Sequence, residues 1–142
     1  MVLDNFTEEE IKNINFSNKT ILIVDDEEAY QKFLAKIIEK FLKAKVISAN
    51  NPAEMFEIIE NMNPDLIILD LQMPVMDGQT ALRHIRSNEK TENIPVVICS
   101  ALGFESVIVN LAKLKISGFI IKPFEASTVL KKIYNVLIET SK

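Results

Sequence analysis

The chain has 142 residues, 48% of them apolar, a net charge of −4 and a single cysteine. That length suits one domain with a substantial core, and one cysteine excludes an internal disulfide and a CxxC metal site. No apolar run nears the roughly 20 residues of a membrane span, the acidic N-terminus lacks the order of a signal peptide, and a net negative chain has no general attraction to nucleic acid.

In chain order, Thr7-Glu8-Glu9-Glu10 fits a capping box and predicts a short helix from Glu8 to Ile14. Phe6, Ile11 and Ile14 are its apolar residues. Residues 1–19 are thus expected to be an N-terminal extension, either a docked turn or a partner-binding element. Ile21–Val24 reads as a buried strand, and Ala29, Phe33, Leu34, Ile37, Ile38 and Phe41 then repeat at helical spacing. Lys45–Ala49 is a short strand. Asn51-Pro52-Ala53-Glu54 supplies an N-cap and a proline at the first helical position, starting a helix to about Asn61.

Asn63-Pro64-Asp65 turns the chain into the strand Leu66–Leu69. Asp77-Gly78 turns it again, before a helix over Thr80–Ser87 with Ala81, Leu82 and Ile85 inward. The strand Val96–Cys99 precedes a helix over Phe104–Leu114 that buries Val107, Ile108, Leu111 and Leu114. The strand Phe119–Ile121 precedes a last helix over Glu125–Glu139, with Val129, Leu130, Ile133 and Leu137 on one face. Strands alternating with helices favour a parallel sheet covered on both faces.

The ends of the apolar strands carry chemistry: Asp25-Asp26, Asp70, Ser100 and Lys122-Pro123. Ligands in open α/β sheets sit outside the carboxyl ends of the strands, so these side chains should converge. Three close carboxylates repel each other, and a hard divalent cation such as Mg²⁺, which takes oxygen ligands and keeps waters, relieves that repulsion.

Ile21–Asp26, Leu66–Gly78 (LIILDLQMPVMDG), Val96–Ala101 and Gly118–Phe124 (GFIIKPF) together resemble the receiver domain of response regulators, the CheY-like phosphoaspartate switches of two-component signalling. The domain expected from the resemblance is 20–142. It implies a flavodoxin-like, doubly wound (βα)5 three-layer α/β sandwich with strand order 2-1-3-4-5. It makes Asp70 the phosphoacceptor, a carboxylate nucleophile that forms an acyl phosphate. It assigns Asp26, Asp70 and the Gln72 backbone carbonyl as ligands of Mg²⁺ (Mn²⁺ would also serve), with Asp25 acting largely through water. Lys122 is implied to pair with Asp70 at rest and with a phosphoryl oxygen afterwards. Ser100 and the Ala101 N–H are implied as further donors, and Pro123 as following a cis peptide bond.

On phosphorylation the resemblance implies that Ser100 moves toward the phosphoryl group and Phe119 turns inward. The surface of the 104–114 helix, the 119–121 strand and the 125–139 helix then changes. Gln72 and Leu102 occupy the variable positions flanking the phosphoryl group, and the apolar Leu102 suggests slow self-dephosphorylation. Lys115-Ile116 stands where the family often has Gly-Ala; a positive φ at Lys115 would cost on the order of 1 kcal/mol.

The expected partners are a histidine kinase or histidine phosphotransfer protein and a downstream protein target, with a homodimer through the same helix–strand–helix surface also compatible. No nucleic acid, membrane insertion or outside enzymatic substrate is expected, and the setting is expected to be cytoplasmic. With no length left for an output domain after the last helix, the expectation is a stand-alone regulator; a receiver excised from a larger regulator or hybrid kinase is the alternative. A phosphatase of the haloacid dehalogenase type would want an acid where Gln72 stands, and a nucleotide-binding domain would want a glycine-rich phosphate loop that is absent. His84 is read as solvated, Cys99 as a small buried hydrophobe, and Met73 and Met76 as packing beneath the site.

Overall fold

Alternate residues along the apolar strands feed two separate cores, as the period of two along a pleated strand requires. Ile21 and Ile23 enter one cluster while Leu22 and Val24 enter the other. The computed structural model describes residues 3–73, 76–101 and 105–141, the side chains of 105–108 excepted. The strands β1 (Thr20–Val24), β2 (Lys45–Ala49), β3 (Leu66–Leu69), β4 (Val96–Ser100) and β5 (Gly118–Ile121) form one sheet in the order β2-β1-β3-β4-β5. Every pairing is parallel. This is the doubly wound α/β fold that the motifs implied.

Helices cover both faces. On one face lie α1 (Glu8–Asn13), α2 (Glu28–Ile37) and α6 (Ala126–Thr140), packing Ile14, Leu34, Ile37, Val129, Ile133 and their neighbours on the sheet. On the other lie α3 (Pro52–Asn61), α4 (Gly78–Ser87) and α5 (Glu105–Ala112), contributing Met55, Ile59, Ala81, Leu82, Ile85 and Leu111.

The local signals act as the chain order suggested. The Thr7 hydroxyl accepts from the Glu10 N–H and the Glu10 side chain accepts from the Thr7 N–H, a complete capping box. Asn51 caps α3, with Pro52 in its first turn. The Asp77 carboxylate accepts from the Thr80 N–H, so α4 begins at Gly78, two residues before the expected start.

Other details differ. Ala29 and Phe33 are exposed, because α2 turns Gln31 inward, where its amide donates to the Asp25 and Ala49 carbonyls. The same helix ends in a wider π turn over Ile38–Leu42, and Lys43 follows at φ 61°. The fourth long helix stops at Ala112 and leaves Leu114 half-buried in the following turn. Ile121 is 52% exposed, since β5 is an edge strand and bonds only to β4. Phe104 and the side chains of Val107 and Ile108 lie outside the described residues. Lys115 does take a left-handed conformation, at φ 57°.

Candidate functional site

Register brings the strand-end side chains together. Val24 pairs with Leu69 across β1 and β3, so the next residues, Asp25 and Asp70, leave the sheet side by side. The ladder continues past the strands: the Asp70 N–H donates to the Val24 carbonyl at 3.0 Å, and the Lys122 N–H donates to the Ser100 carbonyl at 2.9 Å. Four strands thereby present their ends on one edge, as the shared direction of a parallel sheet dictates. The Lys122–Pro123 peptide is cis.

Lys122 Nζ is the hub. It lies 2.7 Å from Asp25 Oδ2, 3.3 Å from Glu27 Oε1 and 3.4 Å from Asp70 Oδ2. Lys122 thus pairs with Asp70, as the resemblance implied, and more closely still with Asp25, which the resemblance did not imply. The other oxygen of Asp25 accepts from the Glu27 N–H at 2.9 Å. Asp70 Oδ1 accepts from the Gln72 N–H at 3.2 Å. Asp25, Asp70, Ser100 and Lys122 are all buried, whereas Asp26, Glu27, Gln72 and Ala101 are exposed. The site is a buried charged floor with an acidic, solvent-facing rim.

Gly78 abuts this floor. A Cβ at Gly78 would lie 2.1 Å from the Asp70 carbonyl oxygen and 2.7 Å from Leu71 Cα. Only glycine lets the start of α4 approach the backbone of the acid so closely. The sequence marked Gly78 as a turn residue; its contact with Asp70 depends on tertiary packing.

The charges are unbalanced. Burial would push Lys122 down, but the hydrogen bond to Asp25 and the charges of Asp70, Asp25 and Glu27 outweigh it, so the ammonium is held firmly protonated. Burial raises the Asp25 carboxyl above its ordinary 3.8, with the Asp70 charge adding to the rise, despite the bonds from Lys122 and Glu27 that oppose it. One cation faces several acids.

A divalent cation fits that surplus. Asp25, Asp26, Glu27 and Asp70 each offer a carboxylate oxygen, all within 4.8 Å of one another. Hard oxygen donors beside an open, solvated side suit Mg²⁺, which binds through few carboxylates and retains water. Glu27 was missed in the sequence, although it follows directly in the run Asp25-Asp26-Glu27-Glu28. Two more neighbours of the site, Tyr30 and Gln31 on α2, carried no signal beyond helical spacing.

The remaining expected residues fall as follows. Phe119 is half-buried against the cluster that holds Ile98 and Leu111. Cys99 is buried, and burial pushes its thiol up to about 12. His84 is exposed and meets Phe56 edge-on at 5.8 Å. Met73 is buried in the cluster that holds Leu71 and Ala81, and Met76 packs half-buried against it. Leu102 lies outside the described residues. Among the described residues, no helix is long and apolar enough to cross a membrane.

Residues 21–134 match the family model described as the response regulator receiver domain. The chemotaxis protein CheY of Bacillus subtilis is 36% identical over 117 residues, covering 82% of this chain and 96% of that protein. The hybrid signal transduction histidine kinase D of Dictyostelium discoideum is 30% identical over 124 residues, 87% of this chain and 8% of that protein. The structure of the chemotaxis response regulator CheY4 of Vibrio cholerae superposes with a TM-score of 0.77 at 22% identity, covering 83% of this chain and 98% of that one; at that identity the likeness is one of fold.

Proposed function

The chain belongs to the response-regulator receiver family, and from that premise we propose that it accepts a phosphoryl group on Asp70 and passes the signal on by protein contact. The observation that carries this reading is the buried Asp25–Lys122–Asp70 cluster, with one ammonium within 3.4 Å of both acids. In the proposed step an Asp70 carboxylate oxygen forms a bond to phosphorus. The bond from phosphorus to the imidazole nitrogen of a phosphohistidine donor breaks, and its electron pair stays on that nitrogen.

Positioning and charge neutralisation dominate such transfers. Lys122 is proposed to donate to an incoming phosphoryl oxygen, joined by the Ser100 hydroxyl and the Ala101 N–H, a preorganised cradle for negative charge. Asp26, Asp70 and the Gln72 carbonyl are the proposed Mg²⁺ ligands, with Asp25 and Glu27 beside them. When bound, the ion neutralises charge between Asp70 and the phosphoryl oxygens.

The acyl phosphate carries close to two negative charges where the carboxylate carried one, beside Ser100 on the strand that pairs with β5. Ser100 and Phe119 are the proposed switch, altering the surface of α5, β5 and α6. Residues 20–142 are the proposed receiver, and residues 1–19 an extension docked through Phe6, Ile14 and Phe16. We assign the donor to a histidine kinase or phosphotransfer protein, the output to a protein target, and the role to a stand-alone cytoplasmic regulator.

Incubation with acetyl phosphate and Mg²⁺ tests the reading. The wild-type protein should take up the label, EDTA should stop it, and Asp70→Asn should stay unlabelled. Equal labelling of Asp70→Asn, or none of the wild type, would overturn it.

A further inference from the structure

The ring of Tyr30 has no part in the reading above, yet it touches the cation at the centre of the site. Lys122 Nζ lies 4.0 Å from the ring centroid. Tyr30 is half-buried on α2, and its ring meets that of Phe124 at 5.8 Å, tilted by 41°. Phe124 follows the Lys122–Pro123 pair, so the segment that carries the lysine also buttresses the ring beneath its ammonium.

An ammonium has three N–H donors and no acceptor. Here it faces carboxylate oxygens at 2.7, 3.3 and 3.4 Å. A ring face attracts a cation through its quadrupole, more strongly when water is excluded. It offers no lone pair in the plane of a hydrogen bond, so it holds the charge without taking a donor from the oxygens. A fourth carboxylate in the same place would compete with a phosphoryl group; a water would let the side chain wander.

We propose that Tyr30 is a positioning residue for Lys122, its ring face holding the ammonium in the gap between Asp25 and Asp70 so that the donor is in place before the phosphoryl oxygens arrive. This rests on Asp70 being the phosphoacceptor. Tyr30 neither gives nor takes a proton in the step: the Asp70 oxygen bonds to phosphorus, and the electron pair of the broken bond leaves with the phosphodonor.

The test compares wild type, Tyr30→Phe and Tyr30→Leu, each with and without Lys122→Met, labelled by acetyl phosphate in Mg²⁺. Tyr30→Leu fills similar space without a π face and should label about tenfold more slowly. Tyr30→Phe keeps the face and should restore the wild-type rate. In the Lys122→Met background Tyr30→Leu should add nothing, because the group it positions is gone. A second measurement needs neither metal nor phosphodonor: the ammonium protons of Lys122, observed by NMR, should be shifted upfield in wild type and Tyr30→Phe but not in Tyr30→Leu.

Wild-type labelling of Tyr30→Leu, a Tyr30→Phe variant as slow as Tyr30→Leu, equal slowing in the Lys122→Met background, or an unshifted ammonium would each overturn the proposal. Failure of the phosphoacceptor reading looks different: the wild type would not label at all, or Asp70→Asn would label equally, while the ammonium shift would still report the contact.

Discussion

Two lysines in this molecule make almost the same contacts and serve different ends. Lys122 sits 2.7 Å from Asp25 and 4.0 Å from the Tyr30 ring centroid. Lys131 on α6 sits 2.8 Å from Glu10 on α1 and 4.8 Å from the Phe6 ring centroid, with Tyr134 at 5.2 Å. Their carboxylates nevertheless shift in opposite directions. Glu10 falls below its ordinary 4.5, through its bonds from Lys131 and Thr7, whereas burial lifts Asp25 above 3.8.

The difference lies in water and in stoichiometry. The side chains of Lys122 and Asp25 are 4% and 3% exposed, those of Lys131 and Glu10 26% and 24%. Near the surface one acid meets one base and the pair is neutral, a staple for the N-terminal segment. At the sheet edge several acids share one base in a desolvated floor, which leaves a surplus of negative charge that a divalent cation would balance. Contact geometry alone does not separate a staple from a site; burial and surplus charge do.

Lys122→Met should break the comparison most sharply. It strands Asp25 and Asp70 without their cation, should cost about 3 kcal/mol in urea unfolding without Mg²⁺, and should slow labelling about 100-fold. Lys131→Met, by contrast, should cost only a small fraction of that and leave labelling unchanged.

Gly78→Ala should come next. It forces a methyl onto the Asp70 backbone and should cost about 2 kcal/mol, and it should also slow labelling by displacing the acid.

The opposite carboxylate shifts can be sharpened by pH. A raised Asp25 takes up its proton at a higher pH than a free aspartate, and the protonated form repels no cation but attracts none. As the pH is lowered, Mg²⁺ affinity by calorimetry should therefore begin to fall while the pH is still above 3.8, by up to about tenfold per pH unit if one proton is exchanged. Affinity that stays flat down to that pH would contradict the shift.

Lys115→Gly should stabilise by up to about 1 kcal/mol, relieving a left-handed residue while keeping the carbonyl that accepts from Arg86 at 3.3 Å. Smallest is Cys99: with its thiol held near 12, it should resist iodoacetamide at neutral pH until the protein unfolds.

Much of this was legible in residue patterns. Strand ends could be read because apolar runs stop abruptly at Asp25, Asp70, Ser100 and Lys122, and parallel topology aligns such ends. Thr7, Asn51 and Asp77 revealed their helices because capping is local chemistry. What escaped depends on rotation and close approach. The inward turn of Gln31 is set by the carbonyls of Asp25, just past β1, and of Ala49 in β2, not by hydropathy. The choice of Asp25 over Asp70 by Lys122 is a matter of tenths of an ångström. Tyr30 sits at an unremarkable helical position until α2 is laid beside the segment carrying Lys122.

Chemical mapping of the phosphoryl group tests the central assignment most directly. After exposure to acetyl phosphate and Mg²⁺, borohydride reduces an acyl phosphate to an alcohol that peptide mass spectrometry locates. Reduction at residue 70 and at no other acid is the expected result. Reduction at Asp25, Asp26 or Glu27 with Asp70 intact would contradict it.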